Sequence, residues 1–178
     1  RHFISRGGVT LSGGEPLMQP EFAAAILDGC RAHGLHTALD TAGSVSLFAC
    51  RQAVEAADLL LLDIKAADDA LFRKVTGRGM DNTLDILNHC ENQGIPVWIR
   101  HVVVPGLTLD TEELEKLGRL LRPYTCIERV ELLPFHKMGE YKWAEMRAPY
   151  TLGATRPPTN EEMDASRGIL RSFDLEVR

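Results

Sequence analysis

The chain has 178 residues, of which 44% are hydrophobic and 25% charged, and its formal net charge is −5. This length and composition predict a single globular domain over residues 1–178. The acidic balance, with basic residues scattered along the chain, argues against a nucleic-acid partner. No apolar run approaches the roughly 20 residues of a membrane span and no signal peptide is visible, so we expect a cytoplasmic protein without a membrane partner.

Short apolar runs alternate with helical segments along the chain. Strands are predicted at 9–11, 37–39, 59–64, 97–103 and 129–133, and helices at 21–32, 47–57, 83–92, 111–121 and 160–172. The run LLLLDIK is apolar on both faces, as expected of a parallel strand covered by helices. The repetition predicts an α/β protein, either a barrel or an open doubly wound sheet, with a long loop at 134–158 and a short last strand at 175–177.

Ionisable side chains occur at or just after the carboxyl end of all five predicted strands. In parallel β/α folds these ends form one rim, on which active sites are built. Five coinciding positions therefore predict one shared site. In strand order they are Glu15 after Gly13-Gly14, Asp40 with Thr41, Asp63 with Lys65, Arg100 with His101, and His136.

The residue types at this rim suit a zwitterionic ligand that carries hydroxyl groups. The glycine pair 13–14 allows close approach to the main chain, and Glu15 beside it can accept a bond from a cationic group. Asp40 and Asp63 are expected to converge, and two such carboxylates need a cation, a hydroxyl-rich ligand or a proton between them. Arg100 suits a carboxylate or a phosphate. An amino-acid nucleoside has these features.

Six ordered motifs resemble those of the radical S-adenosylmethionine (SAM) family, and within it the activating enzymes of glycyl-radical enzymes. They are RGGVTLSGGEP, LDTAG, LLLLDIK, VWIRHVVVPG, ELLPFHKMGEYKW and RPPTNEEM. The resemblance implies a partial (β/α)6 TIM-like barrel that binds SAM across the top of a parallel sheet. It also implies a 4Fe–4S cluster and a role in anaerobic metabolism.

The resemblance assigns roles to the rim residues. The positions that match the family's cofactor-binding residues are Gly13, Gly14, Glu15, Asp40, Thr41, Asp63, Lys65 and His136. Of these, Asp40, Thr41 and Asp63 also match positions that line a monovalent-cation site. Arg100 matches a residue near the bound glycyl loop of the partner enzyme.

In this family, the cluster transfers an electron to SAM and cleaves it, and the resulting 5′-deoxyadenosyl radical removes a hydrogen from a glycine Cα of the partner. The resemblance implies a glycyl-radical enzyme as partner, with pyruvate formate-lyase expected, and flavodoxin or ferredoxin as electron donor of the full-length protein. The family's CxxxCxxC motif, which precedes the GGE strand, does not occur, and cysteines 30, 50, 90 and 126 lack cluster spacing. We therefore expect a chain truncated at its N-terminus, without the first barrel strand or iron–sulfur ligands, and inactive alone.

Three alternatives remain open at this point. The target can be another glycyl-radical enzyme, or the chain can be a non-catalytic module that binds a partner through Arg100 and the aromatic segment after residue 136. The third is a Schiff-base aldolase with Lys65 as nucleophile. Such a nucleophile needs a free amine, whereas Asp63, two residues away, is expected to hold Lys65 in an ion pair.

Overall fold

A computed structural model describes residues 7–178, so that Arg6, the first residue of the RGGVTLSGGEP motif, lies outside the described residues. Five strands form one sheet, and every neighbouring pair is parallel. The spatial order equals the chain order: β1 (Gly8–Leu11), β2 (His36–Thr41), β3 (Leu59–Asp63), β4 (Val97–Val103) and β5 (Ile127–Pro134). Each predicted strand is confirmed to within three residues at either end.

The helices lie between and after the strands. They are α1 (Pro20–Ala32), α2 (Leu47–Glu55), α3 (Asp69–Thr76), α4 (Asp81–Gln93), α5 (Thr111–Leu121), α6 (Glu140–Glu145) and α7 (Asn160–Arg171), with a 3-10 turn at Pro16–Met18. Helices α3 and α6 were not predicted from the sequence, because segments of eight and six residues are too short to display a helical period. In the described part of the chain, none of the helices has the length and apolar character that crossing a bilayer requires.

The sheet stays open within residues 7–178. Beyond β5, the C-terminal segment makes one parallel bridge, between Val130 and Val177, where the last short strand was predicted. The opposite edge of the sheet is β1, which pairs with β2. The fold is therefore the predicted α/β parallel sheet. Its strand order β1-β2-β3-β4-β5 is that of a barrel left open, which confirms the partial barrel and excludes the doubly wound sheet.

The two faces of the sheet differ in burial. Along β4 the side chains of Val97, Ile99, His101 and Val103 are buried, whereas Trp98, Arg100 and Val102 are half-buried. Because successive strand residues point to opposite faces, one face packs against the helices and the other remains accessible. We call the second face the open face. It carries the polar side chains of the predicted site.

The core fills the space between the helix-covered face and the helices. Leu39, Leu60, Leu62, Ile99 and Val130 come from four neighbouring strands, and each is fully buried in one cluster with residues of α1, α2, α4 and α5. This packing holds the carboxyl ends of the strands at fixed positions. The loops after β1, β2 and β3 are thereby brought to one rim.

Candidate functional site

The turn after β1 exposes its main chain. Gly13 and Gly14 have φ angles of 99° and 45°, in the left-handed region that favours glycine. A Cβ built on either residue would meet no atom within 4 Å, so both residues border open space. A ligand can therefore approach the backbone groups of this turn without meeting a side chain.

The Glu15 carboxylate joins the turn after β1 to the end of β2. Its Oε1 accepts hydrogen bonds from the backbone N–H of Leu17 (3.1 Å) and the hydroxyl of Thr41 (2.6 Å), and its Oε2 accepts from the N–H of Ala42 (3.0 Å). The Thr41 hydroxyl itself accepts from the N–H of Gly43 at 2.9 Å. Since a carboxylate has about four acceptor positions, one on Oε2 remains for a ligand cation.

Three ion pairs lie on the open face; we call their six residues the charged strip. Arg100 Nη1 lies 2.7 Å from Asp40 Oδ1, and Lys65 Nζ lies 2.6 Å from Asp63 Oδ2. The third pair, Arg129 with Glu131, has 3.3 Å between Nη1 and Oε1. Each acidic residue of the strip therefore has one basic partner.

The predicted cation-site residues each contact a different group. Asp40 binds Arg100, Thr41 binds Glu15, and Asp63 binds Lys65. Among residues 7–178, no three His, Cys, Asp or Glu side chains come together as a metal site. A cation at Asp40 and Asp63 would therefore have to displace two side-chain cations, and the cation site stays a prediction.

His136 and Lys65 differ in how firmly the structure holds them. His136 is exposed just after β5, where its Nδ1 accepts a weak bond from the N–H of Met138 at 3.3 Å. Lys65 is half-buried and paired with Asp63, as the sequence indicated. This pairing opposes the aldolase alternative, because a Schiff-base lysine must present a free amine.

His101 does not belong to the rim, so the prediction that it shares the rim site with Arg100 was wrong. Its side chain is fully buried on the helix-covered face, where Nδ1 donates to the carbonyl of Ile64 at 2.8 Å. Its Nε2 has no hydrogen-bond partner within residues 7–178. Burial lowers the pKa of His101 to about 4, so the ring is neutral near pH 7. The alternation of β4 contained this signal, since neighbouring strand residues face opposite ways.

Two adjoining clefts open beside Glu15. One, of about 370 Å³, runs along Gly13, Gly14 and Phe22, and the other has a volume of about 640 Å³. The larger cleft is lined by Glu15, Met18, Ala42, Lys65, Arg78 and Asn82, among others. Both volumes fall within the range of small-molecule sites, roughly 300–1,000 Å³. The clefts have the volume for an amino-acid nucleoside, and of the predicted site residues they are lined by Gly13, Gly14, Glu15 and Lys65.

The sequence did not predict that Arg78 and Asn82 line the larger cleft. They lie in and after the turn between α3 and α4, which docks on the loop after β2: the Thr83 hydroxyl donates to the carbonyl of Ala42 (2.9 Å), and the Asn82 amide donates to that of Ser44 (3.0 Å). These contacts join positions about 40 residues apart. Their sequence neighbourhood, TGRG, contains no signal for this docking.

The four cysteines do not fit a cluster site. Cys50 and Cys90 are fully buried, and Cys30 and Cys126 are partly buried. Burial raises the pKa of Cys50 to about 11 and those of Cys90 and Cys126 to about 12, with a hydrogen bond to Glu91 adding to the effect at Cys126. Because the thiolate is the metal-binding form, the thiols at 50, 90 and 126 are poor ligands.

Comparison with known proteins agrees with this geometry. The family model of the Radical SAM superfamily matches residues 2–118. The pyruvate formate-lyase 1-activating enzyme of Escherichia coli K12 is 38% identical over 181 residues, covering 99% of this chain and 74% of that enzyme. The pyruvate formate-lyase-activating enzyme of Clostridium pasteurianum is 45% identical over 148 residues, covering 83% of this chain and 62% of the relative.

A solved structure gives the same result. A domain of the pyruvate-formate lyase-activating enzyme from Bacteroides vulgatus superposes with a TM-score of 0.79 at 25% identity, covering 97% of this chain and 98% of that one. An open parallel sheet in chain order, with a charged rim at its carboxyl ends, defines the class as a partial β/α barrel. The chain belongs to the radical SAM superfamily and, within it, to the family of pyruvate formate-lyase-activating enzymes.

Proposed function

We propose that this chain supplies the SAM-binding and glycyl-loop-binding surfaces of an activase that forms the glycyl radical on pyruvate formate-lyase. One observation carries the proposal: in a chain 38% identical to an enzyme of that name, polar residues of separate motifs meet at one rim. They are Glu15, Asp40, Asp63, Lys65 and Arg100. Glu15 reaches the end of β2, and the other four form two ion pairs on the open face.

SAM would supply the radical chemistry on receiving an electron from a reduced 4Fe–4S cluster, and the part of this chain is to hold and orient SAM. The backbone of Gly13-Gly14 and the free acceptor position of Glu15 would receive the methionine ammonium. Lys65 would receive the carboxylate by exchanging its bond to Asp63, and His136 would meet the adenine side. Asp40 and Asp63 would accept bonds from hydroxyl groups or hold a monovalent cation with Thr41. Flavodoxin or ferredoxin would be the electron donor of the full-length protein.

The isolated 178-residue chain is expected to take up no stoichiometric 4Fe–4S cluster. Its cysteines lie on α1, α2 and α4 and before β5, and three of the four thiols have pKa values raised by burial. The measurement is iron and sulfide content after anaerobic reconstitution and gel filtration, with the E. coli relative treated in parallel. Four iron atoms per chain, with the absorbance of a cluster, would contradict the prediction.

The partner role is tested with a fluorescent peptide that spans the radical-bearing glycine of pyruvate formate-lyase. With SAM and a monovalent cation present, we expect saturable binding by fluorescence anisotropy, weakened by Arg100→Ala about tenfold, because a charge-assisted hydrogen bond contributes roughly 1.5–3 kcal/mol. Arg51→Ala, which removes an exposed arginine from α2, is the matched control. Equal affinity of both variants would remove Arg100 from the partner site. Tighter binding of a peptide from another glycyl-radical enzyme would change the target.

A further inference from the structure

Among residues 7–178, the carboxylates next to Arg100 on the open face leave it one available partner. Asp63 and Glu131 lie beside it in strand register, on β3 and β5. Asp63 holds Lys65, and Glu131 holds Arg129, whose guanidinium also lies 3.7 Å from the centre of the Trp98 ring. Two neighbouring carboxylates are thus already neutralised by other side chains. Arg100 binds the third carboxylate, that of Asp40 on β2, across the width of β3.

The bond between Arg100 and Asp40 is well formed. The two atoms, Nη1 and Oδ1, lie 2.7 Å apart, and the side chains are only 26% and 21% exposed, so water screens the pair less than it screens a surface pair. The hydroxyl of Ser12 donates to the other oxygen, Oδ2, at 2.9 Å. Both oxygens of Asp40 therefore have partners, and its carboxylate is held toward Arg100.

We propose that the Asp40–Arg100 pair is an autoinhibitory contact that withholds Arg100 from the partner's segment until Asp40 is neutralised. This inference rests on the proposed function, in which Arg100 donates to acceptor oxygens of the glycyl loop. A guanidinium has five N–H donors, but the bond to Asp40 fixes its position above β3 and offsets its positive charge. Both its reach toward a second acceptor and its attraction for that acceptor are reduced, which weakens partner binding. A positively charged ligand that replaces Arg100 at Asp40 removes this penalty, so the ligand and the partner bind with positive coupling.

The proposal predicts that removing the Asp40 carboxylate strengthens partner binding. If Asp40 contacted the partner directly, its removal would weaken partner binding, whereas removal of an inhibitory carboxylate strengthens it. The release is also specific to Arg100, because Lys65 and Arg129 keep their own partners when Asp40 is replaced. A variant elsewhere on the strip that removes the same charge therefore separates this effect from a general change of net charge.

The experiment measures the affinity of the pyruvate formate-lyase peptide for the 178-residue chain without SAM. We expect Asp40→Ala to bind about two- to tenfold tighter than wild type, as expected when a partly exposed ion pair no longer competes. The affinity of Asp40→Asn should lie between those of wild type and Asp40→Ala, since its amide oxygen still accepts from Arg100. Glu131→Gln is the matched charge control and should leave the affinity unchanged. The double variant Asp40→Ala/Arg100→Ala should lose the gain.

The outcomes separate this inference from the function on which it rests. Wild-type binding with no gain in Asp40→Ala, or an equal gain in Glu131→Gln, would overturn the autoinhibition and leave the partner role intact. Absence of binding in every variant, Asp40→Ala included, would overturn both. Circular dichroism checks that each variant is folded. Asp40→Asn keeps the shape and can donate its amide to the Ser12 hydroxyl, so it decides the result if Asp40→Ala unfolds.

Discussion

Replacing Glu15 with alanine is expected to lower the free energy of unfolding by about 2–4 kcal/mol, because it leaves several buried or half-buried donors without an acceptor. The carboxylate accepts from the N–H groups of Leu17 and Ala42 and from the hydroxyl of Thr41, which is only 3% exposed. These bonds join the turn after β1 to the end of β2. Without them we also expect the affinity for SAM to fall at least tenfold.

Two further substitutions make this prediction specific. Glu15→Gln keeps one acceptor oxygen but turns an NH₂ group toward a donor, so it should lose about half as much stability as Glu15→Ala. Glu21→Ala removes an exposed glutamate from the first turn of α1 and should change stability by less than about 0.5 kcal/mol. Urea unfolding gives the stability and calorimetric titration the SAM affinity. Wild-type stability in Glu15→Ala would show that the carboxylate does not hold the two loops together.

Acid is expected to destabilise the protein through His101 in a defined pH window. The ring is fully buried, which lowers its pKa from 6.5 to about 4, and the nearby charge of Lys65 acts in the same direction. Between these two values the unfolded chain binds more protons than the folded chain, so stability falls as the pH drops from 6.5 to 4 and is fully retained above 6.5. The difference between the two pKa values corresponds to about 3 kcal/mol.

Urea unfolding between pH 7.5 and 4, with a matched pair of variants, tests this assignment. His101→Asn removes the titrating ring and places an amide nitrogen near the position of Nδ1, which donates to the carbonyl of Ile64. The variant should be less stable at pH 7 but should lose less stability between pH 6.5 and 4. His136→Asn, at an exposed position, should keep the wild-type slope. The carboxylates of Glu91 and Glu162, with pKa values lowered to about 2, contribute their pH dependence at lower pH.

Much of the fold could be predicted because its signals are local. The strands have apolar runs, and helices such as α5 and α7 have capping residues, Asp110 and Thr159, next to an amphipathic pattern. The rim could be predicted too, since parallel strands bring their carboxyl ends to one side. His101 was misplaced because a rim position was assigned from its neighbour Arg100, although adjacent strand residues point to opposite faces.

The sequence by itself determined which polar residues lie at the end of each strand along the rim. They are the glycines and Glu15 first, then Asp40, Asp63 with Lys65, and Arg100. Only the tertiary structure decided which acid holds which base. Asp40 pairs with Arg100 sixty positions away, and Glu15 binds Thr41 across two loops. The physical reason is that an ion pair depends on strand register, side-chain length and the face each residue occupies. Of these, strand register is fixed only when the sheet assembles, and the local periodicity of the sequence does not encode it.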